Sequence, residues 1–567
     1  MRISFLLIIL FFSYTLNGQN TTYTPPVKIP MLLSGSFAEL RSNHFHSGID
    51  IKTQGVTGLP VFSVADGYIS RIVVSPTGFG RALYIDHPNG TTSVYGHLKS
   101  FRKDIEDYIQ KIQYAEQSFR VDVSVPQNTF PLKQGNEIAQ SGNTGSSGGP
   151  HLHFEIRNTE TEEPLNPLKY NFPITDNTAP KIFSLLAAPL DELSHVNYQN
   201  KKSTFPIVFY DGKYHLKGNP TIPVYGNVGF AVQANDYFDN SWNKCGVYSV
   251  ELIVDDEVWF AWQFDKFSFD ETRYINSFID YEEYVNIRKR YQKTWKDPGN
   301  RLPVYSFEKN NGIFDFRDNA GHSVKMILKD IYGNTSVLEF KVNSIFREIP
   351  VSEKPFAKIF AYDKKNVWET QNLKINIPEG ALYTDLNFRY NTSTAGADFF
   401  SELHILHKNT VPLQKNAELN IKTFGITVPL ESKALFVSVD TLTGKYYAAG
   451  GEYKNGWVTG EIRNFGNYAV AVDTVAPKIV PLSIKSKNAL TEENRIRFKI
   501  SDDLAGMEKY EGFIDGKWAL FEYDPRIDQI VHYFDAERVE LGKRHDFLLK
   551  VTDYKNNTAT YKATFWK

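Results

Sequence analysis

The chain has 567 residues, with 63 Lys plus Arg against 65 Asp plus Glu and a formal charge of −2. That length calls for roughly three to five domains rather than one compact unit, and the near-neutral balance removes any whole-chain electrostatic case for binding nucleic acid. Hydrophobic residues at 41% and charged residues at 23% exclude wholesale disorder, while 14% aromatics with only 4 Met favour pleated, half-buried surfaces and a mostly β fold.

At the N-terminus, Arg2 precedes an almost wholly apolar run over 3–12, and Asn17, Gly18 and Gln19 follow. The pattern predicts a secretory signal peptide over 1–18, cleaved near Gly18. The run is shorter than the ~20 residues of a membrane-spanning helix, so no transmembrane anchor is expected after cleavage. The mature chain is expected in the periplasm or cell envelope of a bacterium. From 27 to 175, short apolar runs at 68–74, 82–85, 91–95 and 151–156 alternate with Gly, Pro and Asn turns and read as strands. Asp86-His87-Pro88-Asn89-Gly90 supplies a hairpin. Phe101, Ile105, Tyr108, Ile109 and Ile112 recur at helical spacing opposite a charged face, predicting one helix lying across the sheet as a lid or wall. An alternating strand follows at 119–125.

The chain then repeats itself. Asp176-Asn177-Thr178-Ala179-Pro180-Lys181-Ile182 returns as Asp473-Thr474-Val475-Ala476-Pro477-Lys478-Ile479, and a strand running into Asp330 with Asn334-Thr335 parallels one running into Asp553 with Asn557-Thr558. Two Ig-like β-sandwich copies are expected, at 176–348 and 473–567. In the first, Asp280 with Glu283 forms a capping box for an inserted helix to about Trp295, stopped by Asp297-Pro298-Gly299. Its Arg288, Lys289, Arg290, Lys293 and Lys296 read as a solvated face. Residues 349–472 form a third β module without legible chemistry.

Chemistry concentrates in the first module. Six of the 13 histidines (His44, His46, His87, His97, His151 and His153) lie there. In a strand, His151 and His153 project from one face and can share a metal or divide ligand and acid–base roles. His46 and Asp50 would stand ~13 Å apart if fully extended, so joint ligation needs the bend that Ser47-Gly48 permits. His, Asp and His make a three-ligand set that leaves a fourth position for water. His97, in Tyr95-Gly96-His97-Leu98, follows a strand and could reach the same place. The single cysteine, Cys245, cannot form an intramolecular disulfide or a thiolate cluster and reads as a small buried hydrophobe.

The ordered set of His46/Asp50, Tyr95-Gly96-His97-Leu98 and Ser141 through Glu155, including Gly142-Asn143-Thr144-Gly145-Ser146-Ser147-Gly148-Gly149-Pro150, closely resembles the zinc endopeptidases of the lysostaphin family, which cleave peptide bridges in bacterial peptidoglycan. The resemblance covers about a quarter of the chain. It implies a small antiparallel β peptidase domain of the duplicated-hybrid-motif type at 27–175, with a groove across it. It also implies one Zn2+ held by His46, Asp50 and His153, with His97 and His151 as non-ligand histidines facing the metal-bound water. The stretch from Ser100 to Leu132 departs from the simplest members of the family and leaves substrate choice open.

Other patterns have plainer readings. Gly145-Ser146-Ser147-Gly148-Gly149 fits G-x-S-x-G, but Pro150 leads into a strand where a nucleophile elbow needs a helix. His44 shares a strand face with His46 but lacks an aspartate at the matching offset, and is assigned to packing or to the groove. His87 belongs to the hairpin. His404 and His407 have no nearby carboxylate. The expected function is therefore an exported zinc metalloendopeptidase acting on peptidoglycan, its β modules positioning it on the wall or an envelope protein partner. A non-enzymatic docking protein and a protease with protein substrates are the rival readings.

Overall fold

The structure, a computed structural model, describes residues 22–350, 355–484, 488–489, 494–535 and 538–567. The expected signal peptide lies outside the described residues. The first module is built on a nine-stranded antiparallel sheet with the order β1-β2-β11-β6-β5-β4-β8, where β1 is Leu33–Gly35, β2 Ile49–Lys52, β4 Gly67–Val74, β5 Arg81–Asp86, β6 Thr91–Gly96, β8 Val121–Ser124 and β11 His151–Asn158. Short strands β9 (Pro131–Leu132) and β12 (Pro164–Leu165) extend it. A second sheet joins β3 (Pro60–Phe62), β10 (Glu137–Gln140) and β7 (Ser100–Phe101). Ile49, Ile51, Leu83, Ile85, Tyr95, Leu152, Phe154 and Ile156 build the core between them. Packing starts earlier than residue 27, since Tyr23 is buried and its hydroxyl meets Thr91 Oγ1 at 2.5 Å. The hairpin forms as expected: His87 N–H donates to Thr91 O at 2.9 Å, and Gly90 takes φ +78°.

The predicted helix is α1, Lys103–Glu116. Ile105 and Ile109 enter the core, and Glu106 accepts from Arg81 at 2.7 Å and from Phe101 N at 3.0 Å. These contacts make α1 a wall of the module.

The repeat holds at the ends of the second and fourth modules. Asn334 Nδ2 donates to Asp176 O and to Asp330 Oδ2, and Asn557 Nδ2 donates in the same way to Asp473 O and Asp553 Oδ2. In between, the first copy departs from the second by a twelve-stranded assembly of its own. Its inserted helix is shorter than expected. Asp280 caps it by accepting from Glu283 N at 3.0 Å, but the helix is Tyr281–Ile287, and Arg288 ends it in the left-handed region with φ 59°. The chain then pairs as a strand at Gln292–Lys293. Of the basic residues, Arg288 and Lys289 are exposed as expected, whereas Lys293 is buried on Asp297 at 2.6 Å and Lys296 pairs with Glu308. The third module is two five-stranded sheets around Leu373, Ile375, Phe436 and Val470.

The modules are not beads on a string. Phe37, Ala38 and Phe45 of the first module lie in the core of the second, and Phe238 and Cys245 of the second lie in the core of the first. The fourth module also folds back onto the first. Arg81 pairs with Glu522 at 2.9 Å, Tyr114 meets Trp518 edge-on at 5.4 Å, and Arg538 stacks over the Tyr114 ring at 3.7 Å.

Candidate metal centre

Register brings the pieces together. β11 lies between β2 and β6, and His153 stands opposite Asp50 on one side and Gly96 on the other. His46 precedes β2 in a loop, so His44 and His46 do not share a strand face as the sequence suggested, and His44 is exposed. The bend at Ser47-Gly48 is required sterically. A Cβ on Gly48 would sit 2.2 Å from Phe154 O and 2.8 Å from Glu155 Cγ, so only glycine lets the two segments approach.

Three atoms converge. His46 Nε2 lies 3.1 Å from His153 Nδ1 and 3.1 Å from Asp50 Oδ1, and His153 Nδ1 lies 3.0 Å from the same carboxylate oxygen. The other nitrogen of each ring is already used. His46 Nδ1 donates to Ser36 O at 2.8 Å, and His153 Nε2 donates to Glu155 Oε1 at 2.8 Å. Both partners can only accept, so the tautomers are fixed with the remaining nitrogens as acceptors. Three buried acceptors then face one another with at most one proton to share, an arrangement that one divalent cation satisfies completely. The spacing and donor set suit a three-ligand zinc site.

Electrostatics agree. Burial lowers His46 below its usual value, so the ring is neutral. Burial pushes Asp50 up, but the imidazoles of His46, His151 and His153 gathered around it outweigh that and hold the carboxylate well below its ordinary range. For His153, burial is outweighed by its hydrogen bonds to Asp50 and Glu155, which lift it to about 9, so a cation at Nδ1 must displace a proton.

His97 and His151 flank this set, with ring centroids 4.7 Å apart. His97 Nδ1 donates to Thr144 O at 2.8 Å and His151 Nδ1 to Gly149 O at 2.8 Å, leaving Nε2 of each as an acceptor. His151 Nε2 is 3.4 Å from Asp50 Oδ1. Burial, then the adjacent His153 and His151, lower His97 to about 3. Its backbone is also held at φ 58°, a conformation uncommon outside glycine. All five residues singled out in the sequence therefore meet at one place.

The surrounding shell was not read from the sequence. Arg41 Nη2 donates to Asp50 Oδ2 at 2.6 Å. Glu155 is fully buried; it accepts from His153, Ser47 and Arg157, and although burial raises it, Arg157 and His153 bring it down to about 2. Period-two alternation places Glu155 on the face of His153 and could have flagged it. Phe45, next to His46, is clasped by Phe264, Phe267 and Phe278 of the second module at 4.9, 5.7 and 5.6 Å. The fourth module reaches the opposite rim, where Arg526 Nη1 donates to Ser147 O at 2.9 Å, and Ser147 Oγ lies 3.2 Å from His151 Nδ1. His87 bonds Asp66 O and Ser93, while His404 meets Tyr390.

Residues 44–117 match peptidase family M23, and residues 357–473 match the Zu5-like domain. The first match contains His46, Asp50 and His97, and β11 supplies His151 and His153 from beyond its end. The DD-carboxypeptidase/endopeptidase Mpg of Neisseria meningitidis is 32% identical over 139 residues, 24% of this chain and 26% of that protein. An uncharacterized metalloprotease of Haemophilus influenzae is 30% identical over 132 residues, 23% of this chain and 22% of that one. The peptidoglycan DD-endopeptidase ShyB of Vibrio cholerae is 28% identical over 157 residues, 28% and 30% of the two chains. The chain thus spans about a quarter of the length of the curated relatives it matches. Among solved structures, the catalytic domain of lysostaphin from Staphylococcus simulans aligns at 20% identity and a TM-score of 0.19, covering 25% of this chain and 91% of that one. The N-terminal module of the chain thus matches peptidase family M23, and the histidine–aspartate cluster lies in that module.

Proposed function

We propose that the chain is an exported, zinc-dependent endopeptidase that hydrolyses peptide cross-links of bacterial peptidoglycan. One observation carries this reading: His46 Nε2, His153 Nδ1 and Asp50 Oδ1 converge within 3.0 to 3.1 Å, with the histidine tautomers pinned by Ser36 O and Glu155. One Zn2+ held by these atoms would polarise the scissile carbonyl and lower the pKa of a water at the open position. The protein's own groups do the rest. His97 and His151 present unprotonated Nε2 atoms beside the three-donor set, placed to take the proton of the attacking water and return one to the departing amine. Thr144 O and Gly149 O keep those rings in the right tautomer. Arg41 holds the second oxygen of Asp50, so the first stays turned toward the histidines.

Relatives named DD-endopeptidase and DD-carboxypeptidase/endopeptidase support peptidoglycan as substrate, with a DD-type cross-link as the bond. The apolar run after Arg2 supports export to the periplasm or envelope. Among the described residues no helix is long and apolar enough to cross a membrane, which is compatible with release after signal cleavage. The Ig-like and Zu5-like modules would carry contacts to the wall or to an envelope protein partner.

The test is mass spectrometry of products released from purified sacculi by the zinc-loaded chain, beside His151→Ala. Conversion of cross-linked dimers to monomers by the wild type alone is the expected result. Unchanged sacculi with both proteins, while the wild type binds one zinc, would refute peptidoglycan as substrate. A wild type that binds no zinc would refute the enzyme reading.

A further inference from the structure

Among the described residues, a group of three buried carboxylates outside the M23 site carries two oxygens with no hydrogen-bond partner. Asp176 ends the linker into the second module, Asp236 directly follows the strand Thr221–Asn235, and Asp330 directly follows Gly321–Lys329. Each offers an oxygen, and these oxygens all lie within 4.8 Å of one another. Asp176 is 7% exposed, Asp236 2% and Asp330 2%, so water cannot screen them.

The hydrogen bonds do not account for the charge. Asp330 is satisfied by N–H groups of Tyr332 and Asn334, and Asp176 Oδ1 accepts from Thr178 N at 3.0 Å. Asp176 Oδ2 and Asp236 Oδ1, by contrast, are buried with no hydrogen-bond partner. An unpaired buried carboxylate oxygen is costly, and two of them beside a third carboxylate more so. The charged residues acting on Asp236 are Asp330 and Asp176, both acidic. Burial also pushes the nearby Cys245 thiol up, so it stays protonated and adds no soft ligand.

The repeat supplies an internal comparison. Asp473, Asp502 and Asp553 form the same triad in the fourth module. There Asp473 Oδ2 accepts from Ala505 N at 2.8 Å, Asp502 Oδ1 is left without a partner, and Lys555 lies close enough to act on Asp473 and Asp553. The second copy thus has a lysine nearby, its Nζ donating to Gly451 O at 2.8 Å, and a partner for the Asp473 oxygen whose counterpart on Asp176 the first copy leaves bare.

We propose that Asp176, Asp236 and Asp330 bind one calcium-class divalent cation at the junction between the M23 module and the module after it. Oxygen-only ligation by carboxylates, completed by backbone carbonyls and water, is the chemistry of hard cations. The ion ties together the linker, the end of one strand and the turn after another. It also orders the segment from Asp236, bridged to Cys245 at 2.9 and 3.0 Å, that docks on the M23 module through Ser241 Oγ on Leu33 O at 2.6 Å and Gly246 N on Ser36 Oγ at 2.9 Å.

The test is calorimetric titration of Ca2+ into the zinc-loaded full chain after dialysis against calcium-free buffer, with thermal unfolding alongside. The wild type should take up calcium and unfold at a higher temperature with it. Asp236→Asn and Asp176→Asn should each lose one equivalent, or bind it at least about tenfold more weakly, and lose the thermal shift. Without calcium, Asp236→Asn should be no less stable than the wild type, because a buried repulsion has gone. His153→Ala should keep the calcium response, which separates this site from the zinc reading. Absence of calcium uptake by the wild type at millimolar concentration, or wild-type uptake and thermal shift in both aspartate variants, would overturn the proposal.

Discussion

Replacing Glu155 by Gln removes one charge and little volume from the shell that holds His153. The carboxylate is wholly buried between the His153 Nε2–H, the Ser47 hydroxyl and the Arg157 guanidinium. Burial raises its pKa, yet Arg157 and His153 carry it from an ordinary 4.5 to about 2. A lowering of that size corresponds to roughly 3 kcal/mol of preference for the charged form in the folded state. Because the native value lies below the unfolded one, this contribution is complete above about pH 4.5 and is lost only as pH falls toward about 2. At neutral pH Glu155→Gln should therefore lose on the order of 3 kcal/mol of stability, with Arg157 left buried and unpaired. Zinc affinity should fall about 10- to 100-fold, as for other partners behind a histidine ligand. Thermal unfolding and competition with a chromophoric zinc chelator read the two effects separately. A variant that unfolds within about one degree of the wild type and binds zinc as tightly would show that Glu155 neither orients nor charges the site, and the positioning argument would fail.

Other perturbations probe single parts of the same picture. His151→Ala should keep one zinc per chain but reduce turnover on cross-linked muropeptides by about 10²- to 10⁴-fold, whereas His153→Ala should lose the zinc itself; elemental analysis beside a kinetic assay distinguishes them. Arg526→Ala removes a hydrogen bond of about 1 kcal/mol to Ser147 O. It should raise KM by roughly fivefold at unchanged zinc content, and a rise in activity instead would mean that the fourth module restrains the site. His322 is raised above 6.5 because Asp255 and Asp318 outweigh its burial. Its stabilising effect is present below the unfolded pKa and lost as pH rises through the folded one, so His322→Gln should cost more in unfolding midpoint at about pH 6 than at about pH 8.5.

The M23 site was legible because its chemistry is written in local patterns. His151 and His153 needed only strand alternation, and His46 and Asp50 only a short offset with a glycine between them. The partners that complete the site come from distant segments or from backbone atoms. Ser36 O leaves no trace in residue type, and Phe45 is an ordinary apolar residue until it meets Phe264 and Phe267 from more than two hundred positions away. The same limit explains the shortened helix. Asp280 and Glu283 marked its start correctly, but its end was set by the pairing of Gln292–Lys293 with the strand Thr221–Asn235, a tertiary demand stronger than propensity over 288–295.

Those distant contacts change what the later modules are for. Read along the chain, they look like appendages that place a peptidase on a surface. In the structure two of them contact segments that flank the candidate metal centre. The second module grips Phe45 and Ser36, which fix the backbone and the tautomer of His46. The fourth module holds Ser147 through Arg526 and buries Arg81 between Glu106 and Glu522. If Glu522 were withdrawn, Arg81, 7% exposed, would lose one of its two ionic partners and keep only Glu106. The M23 module of this chain therefore takes an ion-pair partner, Glu522, from more than four hundred positions downstream. An excised M23 module would lose the contacts that Arg526 and Glu522 make with Ser147 and Arg81.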